Sequence, residues 1–276
     1  MPRLIADLHV HTTASDGSDA PETVVVKAAA LGLAALAIAD HDTLEGVEEA
    51  ILAGARHGVE VLPAIELGSQ LGDREVHMLG YLVDTGHKEF LDRLSFFRDS
   101  RLKRAFRMVE KLQRLGIDLK LERVLEIAGQ GSVGRPHIAR ALLEAGAVES
   151  MGQAFEKYIG NGKPAFEPRY KCSPSEAVRI IRSAGGVAVF AHPGMAGCDQ
   201  IIPSLAKEGL QGLEVYHPAH DSAVSEHYAR ICRQWGLLAT GGSDYHGSSH
   251  REHNMLGEAT VDYNVVLELK KLAGRF

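Results

Sequence analysis

Cysteine is scarce. The 276-residue chain has three, Cys172, Cys198 and Cys232, an odd number spread far apart. That excludes a disulfide framework or a Cys-rich zinc ribbon and points to inert thiols in a reducing compartment. Long apolar runs are missing too. No stretch approaches the roughly 18 apolar residues of a membrane span, and the start, MPRLIADLHV, has no signal-peptide core. The expectation is a cytoplasmic protein with no membrane partner. Excess positive charge is also lacking: the net charge of -6 does not suit a coat for long nucleic-acid duplexes. Basic residues concentrate in one place. Arg98, Arg101, Lys103, Arg104, Arg107, Lys111 and Arg114, with only Asp99 and Glu110 against them, give that segment +5 and leave -11 elsewhere. Most of those cations read as a solvated helix face. The acidic remainder suits a body that holds divalent cations.

What is present is a strand-then-helix rhythm. Short apolar runs occur at RLIADLHV, LAALAIAD, VEVLPAIEL and EVHMLGYLV, and again at GGVAVFAHP, LQGLEVYHP and GLLATGGSD. Amphipathic segments such as APETVVVKAAALG, TLEGVEEAILAGARHG and PSEAVRIIRSAGG lie between them, opening on Pro, Ser or Thr and closing on Gly. Alternation of this kind predicts an α/β fold, a parallel barrel of seven strands. The rhythm breaks over residues 91–170, where consecutive helical patterns run without strands and GNGKPAFEPRY marks the return. The expected organisation is a barrel from 1–90 and 171–276 carrying a helical insertion, 91–170, as a substrate cap.

The chemistry-bearing residues fall where the strands stop. His9 and His11 end the first strand, Asp40 and His41 the second, and Glu66 the third. His77 lies in the fourth, His192 and His217 end the fifth and sixth, and Asp244 and His246 follow the seventh. In a parallel barrel these ends share the face on which active sites are built. A single strand-end His is usually a hydrogen-bonded structural residue. A set drawn from every strand is not so explained, because charged groups gathered in a cleft need compensation. Divalent cations supply it. Imidazole and carboxylate without cysteine suit Mn, Fe or Zn in a catalytic site, and the number of candidates exceeds what one ion uses. Asp7, two residues before His9, is expected to face as His9 does, either orienting an imidazole or simply ending the strand.

DLHVHTTASDG, ADHDT, the Glu of AIELG, the His of EVHMLG, AHPG and GSDYHG, in that order, resemble the successive motifs of the PHP (polymerase and histidinol phosphatase) superfamily. The resemblance covers the chain apart from the insertion. It implies a distorted seven-stranded (β/α) barrel with three divalent ions. One ion would be held by His9, His11, Glu66 and Asp244. A second would share Glu66 and add His77 and His192, and the third would take Asp16, His41 and His246. Asp16 in place of a His found in some relatives favours a harder ion such as Mn(II).

Ions at this density imply hydrolysis by a metal-activated hydroxide, held by the ions that Glu66, Asp244 and His192 ligate. The family is mainly phosphoesterase. Independently, GQGSVGRPHIAR places a Gly-rich turn before a Pro-started helix. There Ser132, Arg135, His137 and the helix N-terminus, with Lys171 further on, are candidate phosphate contacts. His217 is a candidate general acid. GRPHIA and the insertion resemble the PHP phosphoesterases acting on nucleotides. That implies a nucleoside 3',5'-bisphosphate phosphatase, or a 5'-3' exonuclease on short oligonucleotides. Histidinol-phosphate phosphatase and a C–N bond amidohydrolase are weaker readings, the latter because the fourth strand has His77 and no Lys. A non-enzymatic binding module is disfavoured by the intact ligand set.

Overall fold

The computed structural model describes residues 4–129, 132–168, 170, 172–247 and 255–275. The chain divides into two compact units, one formed by Met1–Leu91 with Lys171–Phe276, the other by Asp92–Tyr170. The strands belong to the first unit: β1 Ile5–Val10, β2 Ala35–Ile38, β3 Glu60–Leu71, β4 Arg74–Tyr81, β5 Val187–Phe190, β6 Gly212–Tyr216, β7 Leu238–Gly241 and β8 Val261–Asp262. They pair in the order β7-β6-β5-β4-β3-β2-β1-β8. Beyond β7, Tyr245 bridges Val10 of β1 in parallel, so the sheet curls into a nearly closed barrel.

The seven-stranded parallel barrel expected from the sequence needs two corrections. The sheet has eight strands, because the two-residue β8 runs antiparallel beside Ile5 and Ala6. It is also mixed, since β4 is antiparallel to both β3 and β5. The cause is local. In QLGDREV, Gly72 takes φ +60, which only glycine adopts without strain, so β3 folds straight back as a hairpin. No crossover helix separates the two strands.

The helices in chain order are α1 Pro21–Ala30, α2 Val47–His57, α3 Lys88–Arg114, α4 Leu121–Ala128, α5 Arg135–Glu144, α6 Met151–Ala154, α7 Pro174–Ser183, α8 Pro193–Ala196, α9 Ile202–Lys207, α10 Ser222–Trp235 and α11 Asn264–Leu272. Among the described residues no helix is long and apolar enough to cross a membrane. One buried cluster joins Ala6, Ala37, Ala64, Leu79 and Val189 of five strands to Val266 and Leu269 of α11. A second packs Val24 and Ala28 of α1 and Ala50 and Ala53 of α2 against Leu36 and Ile38. Ala6, Ala37 and Ala64 let the first three strands approach, Leu79 and Val189 fill the space beside them, and helices cover the outer face.

The second unit has its own core of Met108, Leu112, Val124, Ile138 and Leu142. Part of the basic run on α3 is used internally. Arg104 Nε donates to the Glu167 carbonyl at 2.8 Å, while Arg107 and Lys111 pair with the Glu167 carboxylate at 3.1 and 2.8 Å. These cations tie down the segment that leaves the unit.

Gly242, just past β7, lies against β1: an added Cβ would meet the backbone nitrogen and Cβ of His9. Overpacking of this kind costs about 1–3 kcal/mol, and here the unyielding neighbour is backbone. Gly242→Ala should therefore lower the melting temperature by several degrees in thermal denaturation. An unchanged melt would mean that the approach of β7 to β1 is not tight.

Candidate metal centre

β1 enters the site through an irregularity. Asp7 pairs with Leu36 and Val10 with Ile38, so β1 spends one residue more than β2 over this interval. Such a bulge re-aims the side chains that follow it. Ala6 packs in the barrel cluster, while Leu36 and Ile38, the partners of Asp7 and Val10, belong to the helix-side cluster. His9 thus turns toward the site and Asp7 does not share its face, contrary to simple alternation. Asp7 instead accepts the backbone N–H groups of Ser243 and Gly257, both at 2.9 Å. Burial pushes its carboxyl up to about 6, against the pull of those donors. It braces the loop that carries Asp244 and touches no imidazole ring.

Glu66 is the hub. It lies within β3 rather than at its end, 1% exposed, level with His41, whose backbone bridges it. Its Oε1 is 2.9 Å from His77 Nδ1, 3.1 Å from His192 Nε2 and 3.6 Å from His9 Nε2. Its Oε2 is 2.9 Å from His41 Nδ1 and 3.5 Å from His11 Nε2. The reversed direction of β4 explains how His77 arrives: the first half of an antiparallel strand lies where its neighbours end, and His77 sits opposite Gly68.

Asp244 closes the opposite side, with Oδ1 3.1 Å from His11 Nε2 and 3.4 Å from His9 Nε2. Asp16 lies 3.5 Å from His246 Nε2 and 3.7 Å from His41 Nε2. Two of these residues hold left-handed backbone, His192 at φ +28 and Asp244 at φ +53. Such conformations cost of order 1–3 kcal/mol each outside glycine and concentrate at functional sites.

Among the described residues, three overlapping groups keep their ligand atoms within 4.8 Å of one another: His11, Asp16, His41 and His246; His9, His11 and Asp244; and His41, Glu66 and His77. The hydrogen bonding tests whether cations fit. His11 Nδ1, His41 Nδ1, both ring nitrogens of His77 and His192 Nδ1 are buried without a hydrogen-bond partner. Two of them, His41 Nδ1 and His77 Nδ1, are nevertheless 2.9 Å from a Glu66 oxygen, and His9 Nε2 is 3.1 Å from His11 Nε2. Ring nitrogens and carboxylate oxygens thus crowd together with fewer hydrogen bonds than their burial calls for. Buried polar atoms are otherwise almost always paired, so this donor set fits divalent cations.

Electrostatics agree. Burial opposes charge on Glu66, but His77, His41 and His9 outweigh it and hold the carboxyl well below its ordinary range. Burial likewise opposes a charged His77, yet Glu66 and Glu75 push it up to about 10. His11 moves the other way, to about 4, through burial and the neighbouring His246.

Two carboxylates beside the centre do not reach into it. Asp40, read from the sequence only as a strand-end acid, accepts Thr12 N–H at 2.8 Å and the hydroxyls of Thr12 and Ser15 at 2.7 and 2.6 Å. It fixes the loop that presents Asp16. Glu214 on β6, which the sequence reading passed over, hydrogen-bonds His9. Its one signal was a lone acid inside an apolar run, LQGLEVYHP.

His217, at the end of β6, accepts the Ala219 N–H on Nδ1 at 3.0 Å, and its buried Nε2 faces Asp244 at 3.6 Å. Of the phosphate candidates, Ser132, Arg135 and His137 lie in the helical unit and Lys171 lies outside the described residues. Ser132 Oγ is buried without a hydrogen-bond partner just before the start of α5. Gly134 there supplies no side-chain cap, and its N–H donates to His137 Nδ1 at 2.9 Å. Arg135 is steadied by Asn161 at 3.2 Å and by the Phe155 ring.

Comparison with known proteins agrees with this chemistry. The chain is 35% identical over 246 residues to the 3',5'-nucleoside bisphosphate phosphatase of Chromobacterium violaceum, covering 87% of this chain and 86% of that one. It is 34% identical over 245 residues to the 5'-3' exoribonuclease of Haemophilus influenzae, covering 87% and 89%. A solved structure from Bifidobacterium adolescentis, described as a metal-dependent phosphoesterase, superposes with a TM-score of 0.89 at 34% identity, covering 97% and 96%. The PHP domain model matches residues 7–164, more than half of the sequence, and the chain belongs to the PHP domain family of phosphoesterases.

Proposed function

We propose that this phosphoesterase removes the 3'-phosphate from nucleoside 3',5'-bisphosphates. The observation that carries the reading is Glu66, a buried carboxylate facing His9, His11, His41, His77 and His192, several of whose ring nitrogens lack hydrogen-bond partners. The proposed ligand sets are His9, His11, Glu66 and Asp244; Glu66, His77 and His192; and Asp16, His41 and His246, with Mn(II) as the metal. Bound there, divalent cations supply Lewis acidity and lower the pKa of water toward neutrality.

The chain's own groups do the rest. Because His217 Nδ1 accepts a backbone N–H, the neutral ring carries its proton on Nε2, and an imidazolium would set two protons against each other. His217 therefore acts as a fixed N–H donor to a phosphoryl oxygen, not as the source of the leaving-group proton. In the helical unit, the unpartnered Ser132 Oγ and the start of α5 beside Arg135 suit an anion. Ser132, Arg135, His137 and Lys171 are the proposed contacts of the substrate's second phosphate.

Cleavage of short 5'-phosphorylated oligonucleotides is the second reading. It is favoured by the near-equal identity, 34% against 35%, to relatives named for each activity. A 3'-phosphodiester presents the same phosphorus to the same groups.

The deciding experiment is phosphate release by Mn(II)-loaded protein from adenosine 3',5'-bisphosphate, with AMP and a 5'-phosphorylated dinucleotide alongside. Fast release from the bisphosphate with AMP accumulating intact is expected. Turnover of the dinucleotide alone would move the assignment to an exonuclease. No turnover of any of the three by metal-loaded protein would remove nucleotides as the substrate class.

A further inference from the structure

Glu214 is fully buried and belongs to none of the proposed ligand sets. It sits where β6 is itself irregular: Glu214 pairs with Thr240 and Tyr216 with Gly241, one residue too many on β6. Both of its oxygens are engaged. Oε1 is 2.9 Å from His9 Nδ1, and Oε2 accepts the backbone N–H of His192 at 2.7 Å. A buried carboxylate is costly unless every lone pair is answered, and an apolar residue of similar volume often stabilises a core as well or better. A purely structural role therefore explains it poorly.

Its two partners explain it better. An ionised carboxylate only accepts hydrogen bonds, so His9 must carry its proton on Nδ1. In the neutral ring that leaves Nε2 free to ligate, on the side that faces His11 Nε2 at 3.1 Å and Asp244 at 3.4 Å. His192 holds the most unusual backbone of the centre, φ +28, and its ring reaches Glu66 at 3.1 Å. Asp7 and Asp40, by contrast, brace loops through backbone and hydroxyl groups and contact no imidazole nitrogen.

We propose that Glu214 is a positioning residue that fixes the tautomer of His9 and the backbone of His192 with one carboxylate, and so ties together the affinities of the two ions they would hold. This rests on the metal-centre reading above. Carboxylate partners of ligating histidines tune metal affinity by about 10–100-fold.

The test compares wild type with Glu214→Gln. The amide reproduces the volume, but one end must present N–H to a group that already donates. Metal-stripped proteins are titrated with Zn(II) against a chromophoric chelator, and their metal-free melting curves are recorded. Glu214→Gln should lose about 10–100-fold in Zn(II) affinity at one or two sites, with a remaining site unchanged and the metal-free melt close to wild type. In a His9→Ala background the same substitution should cost much less, because its main partner is gone.

Unchanged affinities in a folded Glu214→Gln protein would overturn the proposal while leaving the metal centre intact. Wild type that takes up no Zn(II) would overturn both. Should the variant not fold, nitrogen-15 histidine spectra of Zn(II)-loaded wild type decide the matter. A proton on His9 Nδ1 supports the proposal, and a bare Nδ1 overturns it.

Discussion

Glu66→Gln is expected to cost more than about 100-fold in turnover, beyond what losing a supporting partner of a ligand costs, and to strip the centre of metal. The geometry gives the reason. His77 and His41 lie 2.9 Å from the carboxylate and His192 3.1 Å, with His11 and His9 at 3.5 and 3.6 Å. The amide keeps the shape but removes the charge and turns N–H donors toward nitrogens that would face cations. Two of the three proposed ligand sets use Glu66, so a single substitution strikes both. Metal content by plasma mass spectrometry, read beside turnover of the bisphosphate, separates loss of the ions from a change in chemistry. Wild-type metal content in Glu66→Gln would show that Glu66 is not the bridging group.

Much of this centre was legible because its residues follow apolar runs. His9, His11, His41, His192, Asp244 and His246 each stand where a hydrophobic stretch gives way to polar residues, and strand ends on one face of a barrel converge whatever the loops do. Parity within β1 was not legible. The bulge that separates Asp7 from His9 is defined by pairing with β2 about thirty residues on, and period-2 alternation has no term for it. The direction of β4 has a local signal, since LGDR between two alternating runs is a hairpin turn. Glu214 was out of reach for a different reason. Its partner His9 lies 205 residues away, and no local pattern distinguishes an acid that orients an imidazole from one that merely ends a strand. The same holds for Arg135, whose place before a helix is readable but whose support from Asn161 and Phe155 is not.

Removing the metals should abolish turnover and lower the melting temperature steeply, with both restored by Mn(II). A cation that binds only the folded chain adds about 4 kcal/mol per site at 1,000 times its dissociation constant, on the order of 10 °C for a domain of this size. Without cations, protons on the buried imidazoles are what offsets Glu66, Asp16 and Asp244 among the described residues. His77 shows where one such proton resides: with Glu66 and Glu75 pushing it up to about 10, its ring is protonated at pH 7 in the metal-free protein. That proton must leave before Nδ1 can ligate, so binding releases protons and affinity falls as pH falls. Calorimetric titration of metal-free protein in buffers of different ionisation enthalpy reads this directly, through an apparent heat that shifts with buffer. A heat independent of buffer would mean that the ions bind elsewhere, at groups already deprotonated. A melt unmoved by chelation, with turnover retained, would separate the activity from the histidine cluster altogether.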